Sequence, residues 1–300
     1  MEQIIKEMEL EEIFHFSLLS KRCETAVELA NVQVYQIEWR LNEHERVIRV
    51  NDDGVNTRDR KGRKPFWISF TAEQQKTNQL GPVSQQFNTR SHCLGEPNVL
   101  TSKPTENLLE HLSALVLKIF KTDNLIFESR DVLPPIFWHK WNLQFKRFKY
   151  DNSEDSEDVV SHEDYKFLLD NVNSEELDID VRVAPGFQYF EPLKHKTIFL
   201  DQCDWVTRDN LLNMECKWLR IEHSNITTED LNVFFDKWKQ GGFPQLKWLF
   251  FSRPEEVQWD LRFEQMDEDG KPFITDVHGN RGTFKNHLNH FIWFEVDVVV

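Results

Sequence analysis

Residues 196–253 decide the fold and read KTIFLDQCDWVTRDNLLNMECKWLRIEHSNITTEDLNVFFDKWKQGGFPQLKWLFFSR. Short apolar segments alternate here with two segments of helical character. This alternation predicts the element order strand, helix, strand, helix, strand.

The second helix of this stretch is the best marked. Thr227 is a suitable N-cap, and Asp230 three residues later makes a pair resembling a capping box. The apolar residues that follow recur with helical spacing at Leu231, Phe234, Phe235 and Trp238. Gly241 and Gly242 are expected to end the helix.

The apolar strands share a leucine-rich pattern, L-x-x-L-x-L-x-x-N/C, which is typical of repeats with one strand each. The copies, in chain order, are Leu112–Leu115–Leu117, Leu143–Phe145, Leu177–Ile179, Ile198–Leu200–Cys203, Leu219–Ile221 and Leu249–Phe251. We interpret them as irregular repeats. Ordinary alternation of strands and helices, in which L-x-L is common, remains the alternative.

The flanking segments complete a mixed α/β fold class. Period-two patterns predict β structure over residues 32–70, followed by a polar connector to residue 104. A short helix near residues 108–112 and a strand over 115–120 are expected next. Asp269-Gly270 predicts a hairpin, and residues 291–300 read as a closing apolar strand. The fold class is therefore a short helical N-terminus followed by an irregular leucine-rich-repeat-like stack with β-rich flanks.

Composition excludes several functions. The net charge of −15 argues against binding to nucleic acid phosphates or to an anionic membrane, since both need clustered positive charge. No apolar run of about 18 residues exists, and the N-terminus lacks the apolar core of a signal peptide. The four cysteines are far apart and form no C-x-x-C, which favours reduced thiols. We expect an intracellular protein, cytoplasmic or nuclear.

The N-terminal residues resemble an F-box. KEMELEEIFHFSLLSKRC, residues 6–23, is similar to the later part of that motif, in which an acidic turn precedes a Leu/Ile-rich helix. The family's opening helix, with its Leu-Pro pair, would precede Met1, so the resemblance predicts a truncated F-box over residues 1–31. It implies binding of a Skp-type linker protein through Ile5, Met8, Leu10, Ile13, Phe14, Leu18 and Leu19.

Residues 200–242 resemble the type 2 F-box associated domain of nematode F-box proteins. The resemblance rests on Asp201, Cys203 and Trp205, and on residues 207–212, 216–217 and 224–232. It implies three segments: the partial F-box, a β-rich segment with its connector over 32–104, and an F-box associated, target-binding domain over 105–300. Together the resemblances imply a substrate-recognition adaptor of a cullin–RING (SCF-type) ubiquitin ligase. The alternative is an interaction module that has lost ligase coupling.

The strand pattern also predicts where a target protein binds. In L-x-L strands the residues between and beside the leucines face the open side of the sheet, and Trp and Arg are enriched in binding hot spots. The predicted target-binding residues are Thr197, Phe199, Asp201, Trp218, Arg220, Glu222, Trp248 and Phe250, with Ser252 on the same side. The competing reading is that the C-terminal hairpin covers Trp218 and Trp248.

Catalytic and metal motifs are not evident. The sequence has no phosphate-binding G-x-x-x-x-G-K and no G-x-S-x-G nucleophile motif. His287 and His290, with His278 nearby, have a spacing that suits zinc only on a helix, whereas this segment reads as a loop. Asp267-Glu-Asp-Gly270 is a better hairpin turn than a calcium loop. We therefore expect no enzyme activity, no metal and no cofactor.

Overall fold

The computed structural model describes residues 1–43, 45–52, 66–71, 90–92, 96–99, 106–131, 133–134, 137–152, 158–252, 261, 265–286 and 291–297. The chain forms two compact units, Met1–Lys149 and Tyr150–Val300. This division differs from the predicted boundaries at residues 31 and 104. The assignment of those segments to families stays a prediction.

Unit 1 begins with three short helices, which agree with the short helical N-terminus predicted from the sequence. Its helices are α1 (Glu2–Glu7), α2 (Leu10–Leu19), α3 (Lys21–Ala30), α4 (Glu106–Ile119) and α5 (Phe137–Lys140). Its strands are β1 (Val32–Gln33), β2 (Gln36–Leu41), β3 (Glu45–Asn51), β4 (Phe66–Thr71), β5 (Arg90–His92), β6 (Glu96–Val99), β7 (Phe120–Lys121) and β8 (Leu125–Arg130), together with most of β9 (Phe145–Asp151), whose last two residues belong to unit 2.

The β structure predicted over residues 32–70 is confirmed where the chain is described, by β1 to β4, whereas residues 44 and 53–65 of that range lie outside the described residues. Strand β2 pairs antiparallel with β3, β3 pairs antiparallel with β4, and β2 also pairs parallel with β8. Helix α3 is tied to α4 by Lys118, whose Nζ lies 2.7 Å from a carboxylate oxygen of Glu24 and 3.2 Å from one of Glu28. The N-terminal helices therefore pack within unit 1.

Two sequence predictions in unit 1 were wrong. Residues 115–119, predicted as a strand and a leucine-rich copy, belong to helix α4. Among the described side chains of α4, the buried apolar ones are Leu109, Leu112, Val116 and Ile119, and their spacing of three and four is helical. The predicted connector contains β5 and β6, which pair antiparallel. The predicted loop residues 72–89 lie outside the described residues.

Unit 2 contains residues 196–253, the stretch that decides the fold. Its helices are α6 (His162–Asn171), α7 (Arg208–Leu212) and α8 (Thr228–Lys239). Its strands are β10 (Val159–Val160), β11 (Ser174–Asp180), β12 (Arg182–Val183), β13 (Thr197–Asp201), β14 (Trp218–Ile221), β15 (Trp248–Ser252), β16 (Gln265–Met266), β17 (Pro272–Thr275), β18 (Arg281–Asn286) and β19 (Phe291–Asp297). The predicted order strand, helix, strand, helix, strand is confirmed.

The sheet of unit 2 has the order β11-β13-β14-β15-β19-β18-β17-β16. Strands β11, β13, β14 and β15 run parallel, and β15 pairs antiparallel with β19. Four apolar copies of the predicted pattern thus lie side by side in register. The broader interpretation of the chain as a leucine-rich-repeat stack stays a prediction.

Helix α8 matches its sequence signals. Thr227 Oγ1 accepts a hydrogen bond from the backbone N–H of Asp230, and the Asp230 carboxylate accepts from the backbone N–H of Thr227 at 2.8 Å. The four apolar residues with helical spacing are all buried. The helix ends at Lys239, just before Gly241, which has a positive φ of 83°.

The predicted hairpin at Asp269-Gly270 joins β16 and β17, which pair antiparallel. Asp267 Oδ1 accepts hydrogen bonds from the backbone N–H groups of Asp269 and Lys271, and Gly270 has φ of 73°. This carboxylate therefore holds a turn together. His287 and His290 lie outside the described residues.

Candidate target-binding face

The parallel register of unit 2 arranges side chains in rows across the sheet. Thr197 lies beside Trp218, Trp218 beside Trp248, and Trp248 beside Glu295. The next outward row is Phe199, Arg220, Phe250 and Trp293. Alternate residues of each strand point to opposite faces, so the residues between these rows form the buried core.

Six aromatic side chains form a continuous patch on the outward side of this sheet. We call it the aromatic face, and its members are Phe199, Trp218, Trp248, Phe250, Phe291 and Trp293. Trp248 lies at the centre of the patch. Its ring centroid is 6.4 Å from those of Phe199 and Trp218, 6.1 Å from Phe250 and 5.6 Å from Trp293. Phe250 stacks on Phe291 at 5.8 Å.

The helices of unit 2 explain why this face is open. Connections between successive parallel strands are almost always right-handed, so crossovers that follow the strand order lie on one side of the sheet. Helix α8 packs on the inward side, where the rings of Phe235 and Trp238 lie 5.0 and 5.2 Å from that of Phe294. Phe294 is buried, while its neighbour Trp293 keeps 37% of its surface exposed.

Charged groups border the aromatic face and are paired with one another. Arg220 forms an ion pair with Glu222, whose other carboxylate oxygen lies 3.4 Å from the hydroxyl of Ser252. The ring of His223 lies 2.5 Å from a carboxylate oxygen of Asp201. These pairs fix the side chains at the carboxyl ends of β13 and β14.

A cysteine connects the turns that follow β13 and β14. Gln202 and His223 occupy equivalent positions after the two strands, and both have a positive φ of about 50°. Cys203 Sγ donates a hydrogen bond to the carbonyl oxygen of Glu222 at 3.1 Å. Burial raises the pKa of the Cys203 thiol well above its usual range, so the thiol stays protonated and keeps donating. This bond holds neighbouring strand ends in register.

The structure brings all eight predicted target-binding residues to the outward side of β13, β14 and β15. Trp218 is 47% exposed and Arg220 is exposed, while Thr197, Phe199, Asp201, Glu222, Trp248 and Phe250 are half-buried. The C-terminal strand β19 lies beside β15 in the sheet and does not bury Trp218. Their role in target binding stays a prediction.

Sequence reasoning missed Phe291 and Trp293 as members of this face. Residues 291–296, FIWFEV, alternate between the two faces, and this period of two was the available signal. The neighbour of β19 is set by a pairing across about 40 residues, which the local pattern does not specify.

The predicted linker-binding residues divide into two groups. Ile5, Leu10, Ile13 and Phe14 are buried, and the ring of Phe14 lies 5.0 Å from that of Phe66 on β4. Met8 and Leu18 are half-buried, and Leu19 is 73% exposed. The first group holds α1 and α2 on unit 1, so only the second group offers surface to a partner.

Metal-binding and membrane-spanning features were also sought among the described residues. No three His, Cys, Asp or Glu side chains come together there as a ligand set for a metal. None of the helices described is both long enough and apolar enough to span a bilayer.

A comparison with protein-family models points to the same part of unit 2. Residues 187–251 match a protein family described as F-box associated. The chain is also 32% identical, over 91 residues, to the E3 ubiquitin-protein ligase hecw-1 of Caenorhabditis elegans. That similarity covers 28% of this chain and only 7% of the length of that protein. No solved structure matches. The family match contains β13, β14 and most of β15, the strands that carry the centre of the aromatic face.

Proposed function

We propose that this chain is a substrate-recognition adaptor of a cullin–RING (SCF-type) ubiquitin ligase. A Skp-type linker protein binds the N-terminal helices, and a target protein binds the aromatic face. The observation that carries the proposal is the coincidence of the F-box associated match with strands whose outward aromatic side chains remain open. Exposed tryptophans of this kind are the residues that dominate binding energies.

The mechanism is proximity. The chain holds a target near the ubiquitin-charged enzyme and raises its effective concentration there, and it supplies no chemistry of its own. The matched family fits this role because it serves recognition. The proposed place of action is intracellular, in the cytoplasm or the nucleus.

The linker surface is proposed around the C-terminal end of α2. Leu19 is the most exposed of the seven predicted residues, and Leu18 beside it is partly accessible, whereas the partly accessible Met8 lies at the other end of α2. The four buried residues contribute indirectly, since they keep α2 in place.

A binding experiment with purified proteins tests this proposal. The full chain is immobilised and incubated with a Skp-type linker protein, beside a Leu18→Asp, Leu19→Asp variant. Leu29→Asp is the matched control, because Leu29 is 74% exposed on α3 and was not among the predicted residues. Linker capture by the wild type and the control, and its loss in the double variant, is the expected result. No capture by the wild-type chain would refute the ligase role.

The second candidate function is an interaction protein without ligase coupling. It is favoured by the burial of Ile5, Leu10, Ile13 and Phe14, which removes four of the seven predicted linker contacts from the surface. A few buried anchors carry most of the energy of an interface, so the remaining three would have to suffice. The same experiment separates the two candidates.

A further inference from the structure

The strands around the aromatic face carry more acidic than basic groups on its side of the sheet. Outward positions on β11, β13, β14, β18 and β19 follow from the strand register. Their carboxylates are Glu176, Asp178, Asp180, Asp201, Glu222, Glu295 and Asp297, and their basic groups are Arg220, Arg281 and Lys285. A surface with this balance attracts cations and repels anions.

The three basic groups already have acidic partners within unit 2. Arg220 pairs with Glu222, and Lys285 pairs with Glu295. Arg281 lies 3.1 Å from a carboxylate oxygen of Asp267, and its guanidinium stacks 4.1 Å from the ring centroid of Phe273. Each of these ion pairs is neutral as a whole, so the remaining carboxylates leave a net acidic surplus on this side of the sheet, and this surplus makes an acidic occupant unfavourable.

The exposed indoles also favour a cationic ligand. Trp218 and Trp293 are the most exposed rings of the aromatic face. The face of an indole attracts an ammonium or guanidinium group. Trp248 and Phe250 between them offer apolar surface to an uncharged side chain.

We infer that the aromatic face binds a target segment in which arginine or lysine stands next to apolar or aromatic residues. The cationic groups lie over the exposed indoles and near Asp201 and Glu222, and the apolar residues cover Trp248 and Phe250. This inference rests on the proposed function, because it names the chemical class of the target that the same surface selects.

An unbiased selection tests the inference. A short random-peptide library displayed on phage is panned on the immobilised full chain, and clones that bind a Trp218→Ala variant equally well are discarded, because this variant removes the ring without changing the charge of the face. Phe190→Asp is the control, because Phe190 is 78% exposed in unit 2 but lies outside the strands of the face. Thermal unfolding of each variant checks that the fold is retained.

The expected result is enrichment of peptides with net positive charge and at least one apolar or aromatic residue. Their affinity for the wild-type chain should fall with added salt, since exposed charge interactions are screened. Trp218→Ala should weaken binding about tenfold, and Phe190→Asp should leave it unchanged.

Two results would overturn the inference in different ways. Enrichment of neutral or acidic peptides that still require Trp218 would refute the cationic class and leave the recognition face standing. Failure to enrich any peptide that depends on Trp218 would refute both the class and the face as a site for linear segments. Linker binding is measured in the separate capture experiment, so a failure of the ligase role can be distinguished from a failure of this inference.

Discussion

The indole of Trp218 lies beside that of Trp248 on the neighbouring parallel strand, with ring centroids 6.4 Å apart. Leu219, the next residue in the chain, lies on the opposite side of the sheet and is buried. Two adjacent residues of β14 therefore have different environments. One presents a ring to solvent, and the other fills the core under the helices.

This contrast predicts that substitutions at Trp218 and Leu219 differ in their effect on the free energy of unfolding. Trp218→Ala should change the free energy of unfolding by less than about 1 kcal/mol, because nearly half of the residue's surface is exposed. Leu219→Ala should cost about 2–5 kcal/mol, since it leaves a cavity in the core. Urea unfolding of both variants measures the difference. Equal losses would mean that Trp218 is a structural residue.

The capping box of α8 predicts a loss of stability when Thr227 is replaced. Thr227→Ala removes the acceptor for the backbone N–H of Asp230 and should lower the free energy of unfolding by about 1 kcal/mol. Thr228→Ala, one residue into the helix, is the control and should cost less. Chemical denaturation checks both variants. An unchanged stability in Thr227→Ala would show that the cap is replaced by water.

The position of Gly282 on β18 leaves no space for a side chain. A Cβ at this position of β18 would collide with the ring of Phe294 and lie 3.2 Å from the indole of Trp238. Gly282→Ala should therefore lower the free energy of unfolding by about 1–3 kcal/mol. Thr283→Ala on the same strand is the comparison, and calorimetry gives the shift in melting temperature. A neutral Gly282→Ala would contradict the close packing of β18 on α8.

His195 predicts a pH dependence. Burial lowers the pKa of its imidazole below the usual 6.5, against the opposing effect of its hydrogen bond to the carbonyl oxygen of Ser174. Below pH 6.5 the unfolded chain binds a proton that the folded chain resists. The stability contributed by neutral His195 is thus present above 6.5 and is lost as the pH falls toward the folded pKa.

The measurement is the free energy of unfolding from pH 7.5 downward, in about half-unit steps that span this window. His195→Gln should flatten the loss between pH 6.5 and the folded pKa, whereas His111→Gln, at an exposed site on α4, should not. A slope that persists in His195→Gln would assign the dependence to other groups.

Local pattern was enough for the central strands and their faces. The alternation in TIFLD and WLRI fixes which residues are buried, and parallel pairing then brings Phe199, Trp218 and Trp248 together. The signals of α8 act within a single turn of helix, so Thr227 and Asp230 could be read directly. These features depend on neighbours in sequence.

Features set by distant pairing could not be read in the same way. Leu115 and Leu117 fitted an L-x-L strand, but the buried set Leu112, Val116 and Ile119 favours a helix when another surface covers it. Trp293 joined the aromatic face only because β19 pairs with β15. Likewise, the burial of Phe14 depends on its packing against Phe66 of β4.

The central claim is that one chain joins a ligase linker to a target through two different surfaces. Its most direct test is quantitative capture from cell extract with three full-length baits: wild type, Leu19→Asp and Trp218→Asp. We expect Leu19→Asp to lose the Skp-type linker and cullin while keeping the proteins that Trp218→Asp loses, and Trp218→Asp to keep the linker and cullin. Capture of neither linker nor cullin by the wild type, or loss of the same proteins in both variants, would contradict the account.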